Sequence, residues 1–267
     1  METFAEAWHQ RFGTDPPLDA PQLAPFLRHR SVRKYSDKPI PETLVQALIG
    51  AAQSAATSSN LQLWSVISIQ NPQTRSEISK LAENYEHIRT CQWFFAFIVD
   101  HFRLRQAAAR VGENAEGLDY AEFFIMSVID AALAAERMVS AAESLGLGIC
   151  YIGAMRNNAP EIKRILDLPD GAFCTFGLCL GWPEEPLAAH IKPRLRQEAI
   201  WFREKYNHDV SAAIAEYDER MKAFYESEKM KGDVTWSMRS GRRVDNHHLT
   251  GREILKGWLK EEGFNRR

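Results

Sequence analysis

The stretch AEFFIMSVIDAALAAERMVSAAESLGLGICYIG, residues 121–153, decides the fold. From Ala121 to Leu145 it is apolar on almost every side, with Glu136 and Arg137 as an adjacent charged pair, so a long helix buried on more than one face is expected. Gly146 and Gly148 supply a stop. Ile149–Ile152 follows as a short apolar strand ahead of a turn at Gly153. A helix apolar all round must find apolar cover. A second copy across a symmetric interface and the chain's own sheet are equally good sources of it.

Working outward, Pro41 opens an amphipathic helix carrying Leu44, Val45, Leu48 and Ile49 on one stripe and ending near Ala56, where Thr57-Ser58-Ser59-Asn60 breaks it. Leu63–Ile69 reads as a strand, Pro72–Asn84 as a helix, and Trp93–Val99 as a strand too uniformly apolar to have a wet face. On the other side, Pro160–Leu166 suggests a short helix and Phe173–Leu180 a strand closed by Gly181-Trp182-Pro183. Residues 1–27, with Pro16, Pro17, Pro21 and Pro25, read as an irregular leader. Residues 184–267 read as an arm, helical over Ala212–Glu228 and Glu253–Lys260 and otherwise too hydrophilic to build a second core. The alternation argues for one α+β or α/β domain whose ends wrap over something, a second subunit being the natural candidate.

Composition narrows the function. Among 267 residues, 33 Lys and Arg face 35 Asp and Glu for a net charge of −2, and no nucleic-acid module is recognisable, so nucleic acid is not an expected partner. The longest strongly apolar run, Trp93–Val99, falls far short of the roughly 20 residues a membrane helix needs. Met1–Gln10 has neither a basic start nor an apolar core, which makes a cytoplasmic location the expectation. Cys91, Cys150, Cys174 and Cys179 contain no C-x-x-C and read as small core residues. The histidines are scattered and His247-His248 lacks the H-E-x-x-H spacing, so no metal is expected.

The densest chemistry is Arg28-His29-Arg30-Ser31-Val32-Arg33, just before a turn at Ser36-Asp37-Lys38-Pro39. Guanidinium forks match phosphate oxygens bidentately, so this run suits a phosphate. Lys192-Pro193-Arg194 is a second anion-suited element, its proline fixing an extended segment from which two cations project. The glycines of Gly146–Gly153 do not make a dinucleotide fingerprint. The third glycine of G-x-G-x-x-G would fall on Tyr151, and the segment runs from helix to strand. Gly153 and Ala154 are small enough for backbone N–H groups to approach a flat ligand.

Together with Thr57-Ser58-Ser59-Asn60-Leu61-Gln62, Ala142–Gly148, Tyr151-Ile152-Gly153, Arg156-Asn157-Asn158 and Phe176–Pro183, these basic segments resemble the FMN-dependent nitroreductase and flavin reductase family, specifically its major oxygen-insensitive, NADPH-preferring branch. The resemblance runs over about residues 27–267. It implies an α+β homodimer with a mixed sheet flanked by helices, residues 28–267 forming one FMN-binding domain and the helical C-terminal arm, 184–267, reaching over the dimer partner. It implies that His29, Arg30, Ser31, Arg33, Lys192 and Arg194 hold phosphate and ribityl oxygens. Thr57, Ser58 and Ser59 would come from the other subunit, and Ile152, Gly153 and Ala154 would lie along the isoalloxazine, with Gln62, Tyr85, Tyr151 and Met155 in the same cofactor set. Tyr85 stands where this branch often has a glutamine, and Ala154-Met155 replaces a common Gly-Leu.

The mechanism implied is ping-pong: NADPH, or NADH, reduces the flavin and leaves, and a nitroaromatic, quinone or flavin then takes two electrons. No catalytic side chain beyond the flavin is expected. Alternatives are a flavin reductase feeding a partner monooxygenase and a flavin-binding protein without useful turnover. The nucleotide is expected near Arg252, by the resemblance. From Lys231 to Arg267 nine cations face five carboxylates, but Gly232-Asp233-Val234 replaces a second arginine of the family.

Overall fold

In the computed structural model the chain is helical from its fourth residue. Thr3 caps α1 (Phe4–Phe12): its hydroxyl accepts from the Glu6 N–H while the Glu6 carboxylate accepts from the Thr3 N–H, and Gly13 closes the other end. The expectation of an irregular leader is corrected over this stretch. All four leader prolines lie beyond α1, and Pro21 and Pro25 sit at helix starts, in a 3-10 turn (Pro21–Leu23) and in α2 (Ala24–Leu27), where a missing N–H costs nothing.

The structure describes residues 2–186, 190–232 and 234–264; Asp233 and parts of the arm at 187–189 and 265–267 lie outside them. Two compact units result, a sheet unit (31–186 with 250–264) and a helical unit (2–30 with 190–249). The boundary divides the basic run between Arg30 and Ser31.

The sheet unit contains α3 (Glu42–Gln53), β1 (Trp64–Ile69), α4 (Pro72–Leu81), α5 (Glu86–Thr90), β2 (Trp93–Asp100), α6 (Phe102–Arg110), α7 (Ala121–Ser144), β3 (Gly148–Ile152), α8 (Ala159–Ile165) and β4 (Ala172–Gly181). The strands lie in the order β1-β2-β4-β3 and pair antiparallel; the parallel component is one bridge between Ser31 and Ile149. β2 shows why its sequence had no polar face. Phe94, Ala96 and Ile98 enter a core with Ile78 and Ile162 of α4 and α8, while Phe95 and Phe97 enter another with Leu48 of α3 and Met138 of α7. The period-2 alternation sorts one strand into two cores. Cys150 and Cys179 face each other across β3 and β4, and all four cysteines are buried.

α7 buries Ala131, Ala134, Ala135, Met138 and Val139 but leaves Ile125, Ile129 and Leu133 52%, 51% and 44% exposed, one per turn. Among the described residues, the sheet and helices thus cover one face only. Of the two glycines read as a helix stop, Gly146 takes the left-handed conformation (φ 82°), whereas Gly148 already belongs to β3. A Cβ there would lie 2.6 Å from a Val32 methyl, so the close approach of residues 31–32 to the strand requires glycine.

The helical unit holds α1, α2, α9 (Ser211–Ser227) and α10 (Trp236–Arg243). It has a core of its own, contrary to expectation: Tyr217, Met221 and Tyr225 of α9 are buried against Leu195, Phe224 and Trp236. Tyrosines contribute apolar rings while reading as polar residues, which hid this cluster. The chain returns to the sheet unit with α11 (Leu255–Glu261), whose Leu255 and Trp258 pack around Phe173 and Phe264. No helix among the described residues is long and apolar enough to cross a membrane.

Candidate functional site

The two basic segments of the helical unit meet at one buried side chain, Arg11. Its Nε donates to Leu27 O (2.9 Å), its Nη1 to Lys192 O (2.6 Å) and its Nη2 to His29 O. Every carbonyl of Lys192-Pro193-Arg194 is occupied: Lys192 O by Arg11, Pro193 O by the Tyr217 hydroxyl (2.9 Å) and Arg194 O by Arg220 Nη2 (2.9 Å). Arg194 N–H and Arg220 Nη1 both donate to Arg11 O (2.8 and 3.0 Å). Backbone is fixed by side chains, and His29, Arg30, Lys192 and Arg194 are brought into one unit. Glu2 reaches Arg30 at 3.2 Å, its carboxyl held below its ordinary pKa by a backbone hydrogen bond and by Arg30, so an oxyanion already engages this guanidinium. The Arg28 Nε–H is buried with no acceptor among the described residues. A cation-rich run with an unmet buried donor fits a phosphate group.

In the sheet unit, Ser31 bridges to β3, and the charge of Arg33 bears on His87, whose pKa is lowered chiefly by burial and further by that guanidinium. The Thr57–Gln62 loop turns on Asp130, an almost fully buried carboxylate of α7. Asp130 accepts from the Thr57 hydroxyl (2.5 Å), Ser58 N–H (3.1 Å) and Leu63 N–H (3.1 Å). Thr57 Oγ1 in turn accepts from Gln62 N–H (2.9 Å). Ser59, Asn60 and Gln62 all have positive φ (50°, 55°, 52°), a strained turn of the kind that persists at functional sites when its surroundings impose it.

Tyr85 stacks on His87 (5.0 Å between centroids) and donates to Glu83 Oε2 (2.7 Å), a bond that raises its phenol pKa. Glu83 Oε1 accepts from Asn157 Nδ2 (3.3 Å), and Asn157 Oδ1 accepts from Arg252 Nε (2.8 Å). Tyr85 and Arg252 therefore stand at two ends of one hydrogen-bonded chain. Gly251 makes this possible, since a Cβ there would lie 2.3 Å from Asn157 O. Tyr151 donates to Glu136 Oε2 (3.3 Å), and burial pushes its phenol pKa well up. The side chains of Ile152, Ala154 and Met155 are buried in the sheet unit's core, so what this segment can offer a flat ligand is the backbone of the Gly153–Arg156 turn.

Sequence reading missed Arg11, Glu83, Asp130 and Tyr217, and took Asn157 only as part of a motif that carries the resemblance. Asp130 carried a legible signal, a lone acid within an apolar helix. The others act through partners remote in sequence.

The nitroreductase family model matches residues 27–182 and the model of that family's C-terminal domain matches residues 192–267; the chain belongs to the nitroreductase family. It is 36% identical over 246 residues to an FMN reductase (NADPH) of Bacillus subtilis, covering 90% of this chain and 97% of that protein. Among solved structures it is similar to the NfrA1 nitroreductase of B. subtilis (TM-score 0.84, 34% identity, 92% of this chain and 99% of that one). It is also similar to the NADPH:FMN oxidoreductase of Vibrio harveyi complexed with NAD+ (TM-score 0.80, 29% identity, 92% and 99%). α1 lies ahead of both family-matched segments.

Proposed function

We infer that this chain is an NADPH-dependent FMN oxidoreductase of the nitroreductase type. The chemistry that bound FMN supplies is two-electron transfer between a reduced nicotinamide and an acceptor, here a nitroaromatic, a quinone or a free flavin. The observation that carries the reading is the convergence of residues 28–30 and 192–194 on Arg11, which gathers Arg30, Lys192 and Arg194 for a terminal phosphate. Ser31 and Arg33 continue the same run. Backbone N–H groups of residues 153–155 would orient the ring of bound FMN, and Tyr85, its proton held by Glu83, would belong to the same cofactor set. Thr57, Ser58, Ser59 and Gln62, set by Asp130, and Tyr151 complete the cofactor set. Arg252, held by Asn157, reads the nucleotide phosphate. A free flavin as acceptor is favoured by the likeness to an FMN reductase.

The homodimer belongs to the same reading. Ile125, Ile129 and Leu133 form an exposed apolar stripe on α7 that a symmetric copy would cover.

Anaerobic absorbance tests the proposal. NADPH should bleach the flavin of the loaded protein, and a nitroarene or added FMN should restore it. Flavin that stays oxidised under NADPH would reduce the chain to a binding protein.

A further inference from the structure

Arg11 stands in the last turn of a helix that precedes both family-matched segments, yet it is only 5% exposed despite its permanent charge. Burying a cation is costly unless its donors are met. Here they are met by backbone carbonyls from two places far apart in sequence: Leu27 and His29, 16 and 18 residues on, and Lys192, 181 residues on. The acceptors identify what is being arranged. Leu27 ends α2, His29 lies inside the first basic run, and Lys192 opens the second. A planar guanidinium with its donors in a fixed fork can hold three carbonyls at set angles, which a lysine ammonium on a flexible stem does not reproduce.

We propose that Arg11 is a positioning residue for phosphate recognition: its guanidinium ties residues 27–29 to Lys192, sets the spacing of the cations they carry, and adds a positive charge beneath them. The ligand is the phosphate monoester of a flavin mononucleotide. The proposal rests on the reading that Arg30, Lys192 and Arg194 take that phosphate. It gives the N-terminal helix a role in the cofactor site although the helix is outside the matched family segments. The backbone carbonyl of Arg11 accepts from Arg194 and Arg220, so a side-chain substitution leaves that part of the frame in place.

The experiment titrates apoprotein with FMN and with riboflavin, which lacks the phosphate, for wild type, Arg11→Met, Arg11→Lys and Arg194→Ala. Arg11→Met should weaken FMN by about tenfold or more and riboflavin by less than about twofold, with Arg11→Lys between wild type and Arg11→Met. If Arg11→Met is not recovered folded, Arg11→Lys carries the test by the same FMN-to-riboflavin ratio. An equal loss of both flavins, or none while Arg194→Ala loses FMN selectively, would overturn the role of Arg11 alone. Arg194→Ala weakening FMN and riboflavin equally would overturn the phosphate reading beneath it.

Discussion

The sheet unit and the helical unit are held together by different physics. The first is apolar: β2 feeds two cores, and Phe94, Phe95 and Phe97 are buried in clusters that draw aliphatic side chains from α3, α4, α5, α7 and α8. The second has two small apolar clusters, one of Phe4, Ala20 and Ala24 with Trp8 and Leu27 and one of Tyr217, Met221 and Tyr225, and adds arginines and a tyrosine donating to main-chain carbonyls, with Glu216 holding Arg196 (3.0 Å) and Arg220 (2.7 Å). Burial of apolar area gives stability without directing charge. Hydrogen-bonded carbonyls give less stability but fix where neighbouring cations stand, as anion recognition needs.

The largest effect that could break this contrast is a core truncation. Phe95→Ala should cost about 3–5 kcal/mol in urea unfolding, and Met221→Ala of α9 about 2–3 kcal/mol. Equal losses would mean that the two units depend on apolar burial alike.

Next is pH. His101 is buried with its Nδ1 unpartnered among the described residues, and desolvation pulls its pKa down to about 4, against a hydrogen bond with Phe123 O. The unfolded chain takes up a proton near the ordinary imidazole value of 6.5 that the native chain refuses, so stability falls as pH drops from 6.5 toward 4 and levels off below. The loss is about 3 kcal/mol. Thermal melts should show it, and His101→Gln should flatten the curve through this window.

Smaller still is Tyr217→Phe, which deletes the donor to Pro193 O and should cost about 1 kcal/mol while loosening FMN severalfold. Loss of stability with FMN affinity intact would separate the frame from the site. Smallest is Glu2→Gln. Removing the partly exposed carboxylate on Arg30 should tighten FMN by no more than about threefold, as a surface ion pair is weak. Weaker FMN binding would instead make Glu2 a support for Arg30.

Legibility in sequence followed the same division. β2 and α7 announced themselves because apolar residues at the strand or helix period produce the burial that forms them. α1 was legible in principle: Thr3 and Glu6 have capping-box spacing, but Pro16, Pro17, Pro21 and Pro25 give the whole stretch a loop-like composition. α6 buries no residue, leaving its pattern nothing to register. Arg30 and Arg194 stood out as charge clusters. Arg11 could not, because what distinguishes it from any surface arginine is three carbonyl acceptors that only the fold brings together.

The central claim is that the residues gathered in the helical unit recognise a phosphate. It is tested most directly by titrating the wild-type apoprotein with FMN and riboflavin under the same conditions. FMN is expected to bind at least about a hundredfold more tightly, the equivalent of one or two charge-assisted contacts. Equal affinities would contradict the account.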